Sequence, residues 1–446
     1  MTFCYYVDEY ENFMEYQQRY VNTLLRERSA PVTFRIGARS YGLHTKSTYS
    51  GGDEEIREGS EFQYLQLDSK FRNDPEQYGR FARKLLQRRI DSSVGESFQA
   101  FDIDKLFGNL ERESGEDRLL RRRSGSERTH IAKLRKHLSQ VLTSNDVEEV
   151  ISCISIQPRP LLEKAAILRL YQAAFRDMEG IVEAGRQIGQ AVKDIEGKKM
   201  NVAKELRETL SHYGDDLDAQ LWRDSKLGSR PTVRELEDLI RMSEGLPRAL
   251  LTMVGYIVRW AVYRGELGPD FQRISGDAIR LGLVDSGKWF LSDVPEIGVD
   301  GESIRIAIGR LGELFRLNRF ADKPTECSLI GFSVDFEALS RVAKRNIDDA
   351  EKRSFLVLHP SGEKDRSSEK TWAKYHLSRV LTPMFELPVA TRGHARLSTP
   401  AANAIFDASR NDEFVRVREQ WRRRMYWPFG KDSEARGQTD ILAGET

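Results

Sequence analysis

At 446 residues the chain is long enough for two to four domains, and 39% hydrophobic with 31% charged residues suits a charge-rich, helix-leaning protein. Its 70 basic and 69 acidic residues nearly cancel, so the molecule as a whole has no strong pull toward nucleic acid or membrane, and any basic surface must be local. Cys4, Cys153 and Cys327 lie far apart without CxxC pairing, which argues against a zinc ribbon or disulfide framework. With no signal-like start and no apolar run of membrane length, the expected compartment is cytoplasmic, with no membrane partner.

Residues 3–7, "FCYYV", read as a short buried strand, aromatic and uncharged. Tyr10, Phe13, Met14, Val21, Leu24 and Leu25 then recur at helical spacing to about residue 26. "VTFRIGAR" (32–39) is a second strand and, after a polar loop, "EFQYLQLD" (61–68) a third, followed by a helix over 75–89. Strand, helix, strand, loop, strand, helix is an α/β order that implies a parallel sheet. From about 90 to 230 the chain is polar, Arg-rich and helical, with Leu161, Ala165, Leu168, Phe175, Met178 and Val182 marking one amphipathic face. "KLGSRPT" (226–232) is a boundary before two helices hinged at Gly245-Leu246-Pro247. A helix over 301–320, a strand over 327–334, a further helix, a strand over 354–359 and a basic loop then suit a winged-helix type of module. The last dozen residues are polar and expected to be loose.

Asp8-Glu9 closes the first strand. At the C-terminal edge of a parallel sheet two carboxylates point into the crevice where such sheets bind ligands. Asp8 would hold Mg²⁺ through a water, and Glu9 would polarise a water attacking a terminal phosphate. The competing structural role is a helix start, with Asp8 capping and Glu9 complementing the dipole. Arg39 ends the second strand beside them, where a guanidinium can reach a phosphate bidentately. The alternative is a surface pair with Asp53 or Glu54. In "SEGLPRALL" (243–251), Pro247 could approach a flat base and Arg248 could supply a second cation. Otherwise this is an ordinary helix–helix turn with proline near N1.

In this order the three elements resemble a family. "FCYYVDE" looks like a Walker B strand, "FRIGAR" like a sensor strand ending in arginine, and "GLPRAL" like the lid motif of STAND and origin-recognition-type AAA+ P-loop ATPases. "HLSRVLTPMFELPVATRGHARLS" (376–398) also looks like bacterial proteins of the origin-recognition type. The resemblance implies an incomplete P-loop α/β core over 1–92, an Arg-rich helical insertion over 93–230 and a helical lid over 231–300. A winged-helix-like α+β region over 301–405 and a basic, aromatic helix with a loose tail over 406–446 would follow. It also implies ATP and Mg²⁺ as cofactors, provided a phosphate loop is present elsewhere. No GxxxxGK[ST] occurs in the sequence; the nearest imitation, "GARSYGLHTKST" (37–48), separates its second glycine from Lys46 by three residues. The expectation is therefore a chain that begins at Walker B, whose phosphate loop lies upstream, on a neighbouring polypeptide, or nowhere.

Two basic clusters stand out. Residues 118–137 carry eight Lys or Arg against one Glu; residues 415–427 carry five Arg against one Glu, with Trp421, Tyr426 and Trp427 interleaved. Trp421, Arg422, Arg423 and Arg424 are candidates for holding nucleic-acid phosphates and stacking on bases, against the plainer reading of solvated helix faces covering acidic neighbours. His359, His376 and His394 are scattered and read as satisfied polar residues rather than metal ligands. Two functions remain open: a nucleotide-switched ATPase whose C-terminal region binds DNA or a partner, including further copies of the chain, and a non-catalytic adaptor that binds nucleic acid or protein.

Overall fold

The computed structural model describes residues 3–27, 31–39, 42–49, 54–94, 103–107, 114–121, 127–156, 158–196, 204–226, 233, 235–266, 273–292, 301–325, 328–359, 362–364, 371–390 and 393–424. The expected loose tail and Tyr426 and Trp427 lie outside them.

Strand β1 (Phe3–Val7) and strand β2 (Val32–Ile36) pair in parallel, Phe3 opposite Val32 and Val7 opposite Ile36. Parallel neighbours need a crossover, and helix α1 (Glu15–Glu27) provides it. Its buried residues, Gln18, Val21, Asn22 and Leu25, fall three or four apart on one face; Val21 and Leu25 close a small core with Tyr10 and Ile56. The two buried amides staple the next loop to this helix. Gln18 donates to the carbonyls of Tyr10 (3.2 Å) and Gly42 (2.7 Å) and accepts from the amide of His44 (2.9 Å). Asn22 donates to the carbonyls of Thr45 and Ser47, both at 3.1 Å.

The third strand expected over 61–68 does not form. Residues 61–66 make one isolated bridge, Glu58 to Phe62, and the chain then enters helix α2 (Leu67–Asn73). The apolar alternation there has no core to receive it, since Tyr64, Leu65 and Leu67 are all exposed. Asp68 in the first turn and Lys70 and Arg72 in the last complement the helix dipole instead. Strand β2 also stops at Ile36, short of the expected 39. Asp74 accepts from the amide of Gln77 (2.9 Å) and starts helix α3 (Pro75–Val94), five residues longer than its sequence signal.

Helices α4 (Ile103–Leu106) and α5 (Gly115–Arg121) lead into a bundle of α6 (Thr129–Leu138), α7 (Ser144–Ile154), α8 (Pro160–Arg176), α9 (Ile181–Glu196) and α10 (Lys204–Asp224). Helix α8 is buried on nearly every side, from Leu162 to Ala174, and forms the centre. Polar and charged groups are paired around it: Glu163 meets both Arg128 and His130 at 2.7 Å, and Asp322 meets Lys133 at 3.1 Å and His137 at 3.4 Å. Arg128, Lys133 and Arg135 of the basic stretch at 118–137 are thus held by acidic neighbours, while Arg122 and Arg123 lie outside the described residues.

Helices α11 (Leu236–Met242), α12 (Pro247–Tyr263) and α13 (Gly276–Ser292) build a third core with α3 and α4. Glu244 (φ 49°) and Gly245 (φ 79°) turn left-handed between α11 and α12, and Pro247 opens α12, so the expected hinge is present. A Cβ on Gly245 would lie 3.0 Å from the Asp68 carbonyl and from the Phe71 Cβ, because α2 docks on this turn.

The C-terminal unit runs α14 (Gly301–Arg319), β3 (Gly331–Val334), α15 (Arg341–Lys352), β4 (Leu356–Leu358), β5 (Glu363–Lys364), β6 (Thr371–Leu377), β7 (His394–Arg396), α16 (Thr399–Phe406) and α17 (Asn411–Arg424). Strand β6 lies between β4 and β3, antiparallel to both; β3 pairs β7 in parallel, and β5 pairs β6. Phe332, Tyr375 and Phe406 stack at the centre, with ring centroids 5.4–5.5 Å apart. The buried Arg310 guanidinium caps the end of α16, donating to the carbonyls of Ala404 and Asp407 at 2.8 Å and of Ala408 at 3.1 Å.

Candidate functional site

The end of the parallel pair is built around two glycines. The Gly37 amide donates to the Val7 carbonyl (2.8 Å) and the Gly37 carbonyl accepts from Tyr10 (3.1 Å), which fixes the exit of β1 against the exit of β2. Between these bonds lie Asp8 and Glu9, both exposed. Asp8 Oδ1 accepts from the Glu9 amide at 2.9 Å. Glu9 takes a left-handed conformation (φ 52°), uncommon for a residue with a Cβ, and its Oε2 accepts from Asn12 Nδ2 at 3.1 Å. The short 3-10 turn Tyr10–Asn12 follows without a side-chain cap, so the helix-capping alternative for Asp8 does not apply there. A Cβ at Gly37 would lie 3.0 Å from Asp8 Oδ1; the glycine leaves that carboxylate its space.

Arg39 lies at this same end and pairs with Glu11 rather than with Glu54; Asp53 lies outside the described residues. Glu11 Oε1 meets Arg39 Nε at 3.4 Å and Glu11 Oε2 accepts from the Arg39 amide at 3.2 Å, while Glu54 pairs with Arg26 at 3.1 Å. Gly42 presses on Glu11 from the other side, where a Cβ would fall 2.0 Å from the Glu11 Cβ. Among the described residues of 37–48 no helix begins directly after Gly42, as a phosphate loop would require, and Gln18 and Asn22 tie this part of the chain to α1 instead.

Pro247 and Arg248 open α12 at the margin of the third core, Pro247 half-buried and Arg248 exposed. The Arg248 guanidinium lies over the Trp289 ring of α13, 5.6 Å from its centroid. Just before them sits a cluster that sequence reasoning missed. The Glu244 carboxylate is buried and accepts from His376 Nε2 (2.6 Å) and from the Arg379 amide (2.9 Å), with Arg379 Nη1 at 3.6 Å. The Glu244 carbonyl accepts from Arg72 Nε at 3.0 Å. His376 Nδ1 meets His359 Nε2 at 2.9 Å. Burial pushes the Glu244 carboxyl up, yet the hydrogen bond and charge of His376, with those of Arg379, hold it below the usual carboxylate range. Burial and the neighbouring His376 push His359 down to about 4. Two of the scattered histidines thus meet, and the signal available in sequence was "SE" directly before "GLPR" together with two histidines in adjoining strands.

In the C-terminal basic cluster, Arg422 and Arg423 are exposed on α17, Arg422 with Glu419 at 4.0 Å. Arg424 ends that helix, and its side chain lies outside the description. Trp421 does not share the exposed face: it is buried in the C-terminal core, so the expectation that it stacks on bases is corrected to a packing role.

Small mixed sheets with a large helical complement, and a parallel strand pair tipped by carboxylates, are compatible with an AAA+-like α/β plus helical architecture. The family model described as ORC-CDC6-like matches residues 1–397, and the chain belongs to that family. No curated protein and no solved structure matches it. Among the described residues no helix is long and apolar enough to cross a membrane.

Proposed function

We propose that this protein is a nucleotide-switched regulatory ATPase that uses ATP with Mg²⁺ and acts on DNA or a partner protein through its C-terminal unit. The observation that carries the reading is the pair Asp8-Glu9, exposed at the C-terminal end of a parallel strand whose neighbour is followed by Gly37 and Arg39. Carboxylate oxygens are the donors a hard divalent cation prefers, and the absent Cβ of Gly37 keeps room beside Asp8. In this role Asp8 holds Mg²⁺ through water, Glu9 orients the attacking water, Arg39 and Arg248 meet the phosphates, and Pro247 lies against the base. Arg39 must leave Glu11, and Arg248 must leave Trp289, to do so. The phosphate-cradling loop is supplied outside residues 37–48. In the C-terminal unit the order α14, β3, α15, β4, β6, with β6 between β3 and β4, supports a winged-helix reading, and the exposed Arg422 and Arg423 extend its basic surface.

Equilibrium binding of ATP·Mg²⁺ to the full chain tests this. Glu9→Gln should retain nucleotide and lose turnover, while Arg39→Ala and Arg248→Ala should weaken binding. A second reading, the non-catalytic adaptor, is favoured by the engagement of Arg39 with Glu11 and of Glu9 with Asn12. It prevails if Glu9→Gln changes nothing while Arg422→Glu with Arg423→Glu abolishes function.

A further inference from the structure

The Glu244 cluster joins three parts of the chain at one buried point. Glu244 sits in the left-handed turn before α12, His376 on β6, His359 just beyond β4, and Arg72 on α2. Because a carboxylate accepts, His376 Nε2 must carry the hydrogen it shares with Glu244 Oε1. The 2.9 Å contact between His376 Nδ1 and His359 Nε2 then holds one hydrogen, and two arrangements satisfy it. With both rings neutral, His359 Nε2–H donates to His376 Nδ1. With one added proton, His376 Nδ1–H donates to His359 Nε2, and the charge rests on His376 against Glu244. The proton enters at Nδ1 of the partly exposed His359, the Nε2 hydrogen of His359 passes to His376 Nδ1, and no further group changes.

We propose that Glu244, His376 and His359 form a proton-loaded latch. Uptake of one proton converts the hydrogen bond between Glu244 and His376 into an ion pair and tightens the attachment of the hinge before Pro247 to the C-terminal sheet. Other charges face the cluster. Arg379 reaches the same carboxylate, Arg72 holds the Glu244 carbonyl and is itself paired with Asp68 at 3.2 Å, Lys374 on β6 bears on His359, and Glu351 on α15 bears on Arg72. The arginines and Lys374 oppose loading; the buried Glu244 carboxylate, in direct contact, favours it. Any effect of the latch on nucleotide rests on the function proposed above, but the latch itself does not.

Hydrogen–deuterium exchange of the amides of 243–246 and 248–250 in the full chain, without nucleotide, tests it at about pH 6 and pH 8, which bracket the ordinary range of histidine. After correction for intrinsic exchange, these amides should be at least about threefold more protected at the lower pH. His376→Gln keeps a donor for Glu244 and cannot titrate, so its ratio should be flat. If that variant does not fold, nitrogen-15 histidine spectra of the unaltered chain decide: the added proton should appear as a second N–H on His376 while His359 keeps one. Equal pH ratios in the unaltered chain and His376→Gln, or charging of His359 in place of His376, overturn the latch. Failure of the protein to bind ATP leaves either result unchanged.

Discussion

Glu244 and His376 are 132 positions apart in the chain and meet at 2.6 Å in a site closed to water on both sides, with side-chain exposures of 4% and 6%. A buried ion pair stabilises little when compared with an apolar pair. Removing one partner is expensive, because the other is left desolvated and alone. The contact therefore defines the relative placement of hinge and sheet more than it adds to net stability.

Glu244→Ala strands His376 Nε2 and the Arg379 amide and should cost about 3 kcal/mol or more. Glu244→Gln keeps an acceptor and should cost about 1–2 kcal/mol. Urea denaturation of the full chain measures both. A cost under about 1 kcal/mol for the alanine variant would mean that the hinge is not held by this contact.

Acid should destabilise the protein through neutral histidines. His359 is pushed from 6.5 down to about 4, and burial lowers His130 despite its bond to Glu163. Both rings are then neutral in the folded chain at pH values where the unfolded chain has already taken up their protons. Their contribution is complete above pH 6.5 and is lost as pH falls, for His359 through about 4. The partly exposed His359 should contribute less than the full slope of about 1.4 kcal/mol per pH unit for one proton, and His359→Gln should flatten the acid limb accordingly. Stability measured at several pH values across that interval checks it.

Glycine substitutions should separate two kinds of glycine. At Gly42 an added Cβ would fall 2.0 Å from the Glu11 Cβ and 2.5 Å from its Cα, so Gly42→Ala must displace the turn that holds Arg39 and should cost about 2–3 kcal/mol. Gly255, inside α12, has nothing within 4 Å of its Cβ position, and Gly255→Ala should stabilise by about 0.5–1 kcal/mol. Thermal unfolding of the two variants reads opposite signs if the local geometry is right.

Trp421 and its arginine neighbours should part company. Trp421→Ala opens the C-terminal core and should cost about 3–5 kcal/mol. Arg422→Glu with Arg423→Glu, on exposed helix, should change stability by no more than about 0.5 kcal/mol. The paired reversal should nevertheless weaken retention on duplex DNA and reduce its salt dependence, if that surface contacts phosphate. Retention equal to that of the unaltered chain would remove α17 from the interface.

The strand at 3–7, the crossover helix, the start of β2 and the hinge at 245–247 were legible in the sequence because each rests on local physics, although β1 is exposed along Phe3–Tyr6 rather than buried as expected. Aromatic and β-branched runs extend, apolar residues three and four apart bury one helix face, and glycine followed by proline ends one helix and begins the next. Residues 61–68 misled for the complementary reason. An alternating pattern specifies a strand where a core receives it, and here Leu65 and Leu67 face solvent. The pairing of Arg39 with Glu11, the burial of Trp421 beside exposed arginines and the contact of Glu244 with His376 and His359 were decided by tertiary structure alone. Sequence spacing carries no distance between residues on separate elements; for the Glu244 cluster, packing of α2, the hinge and the C-terminal sheet around one point set it.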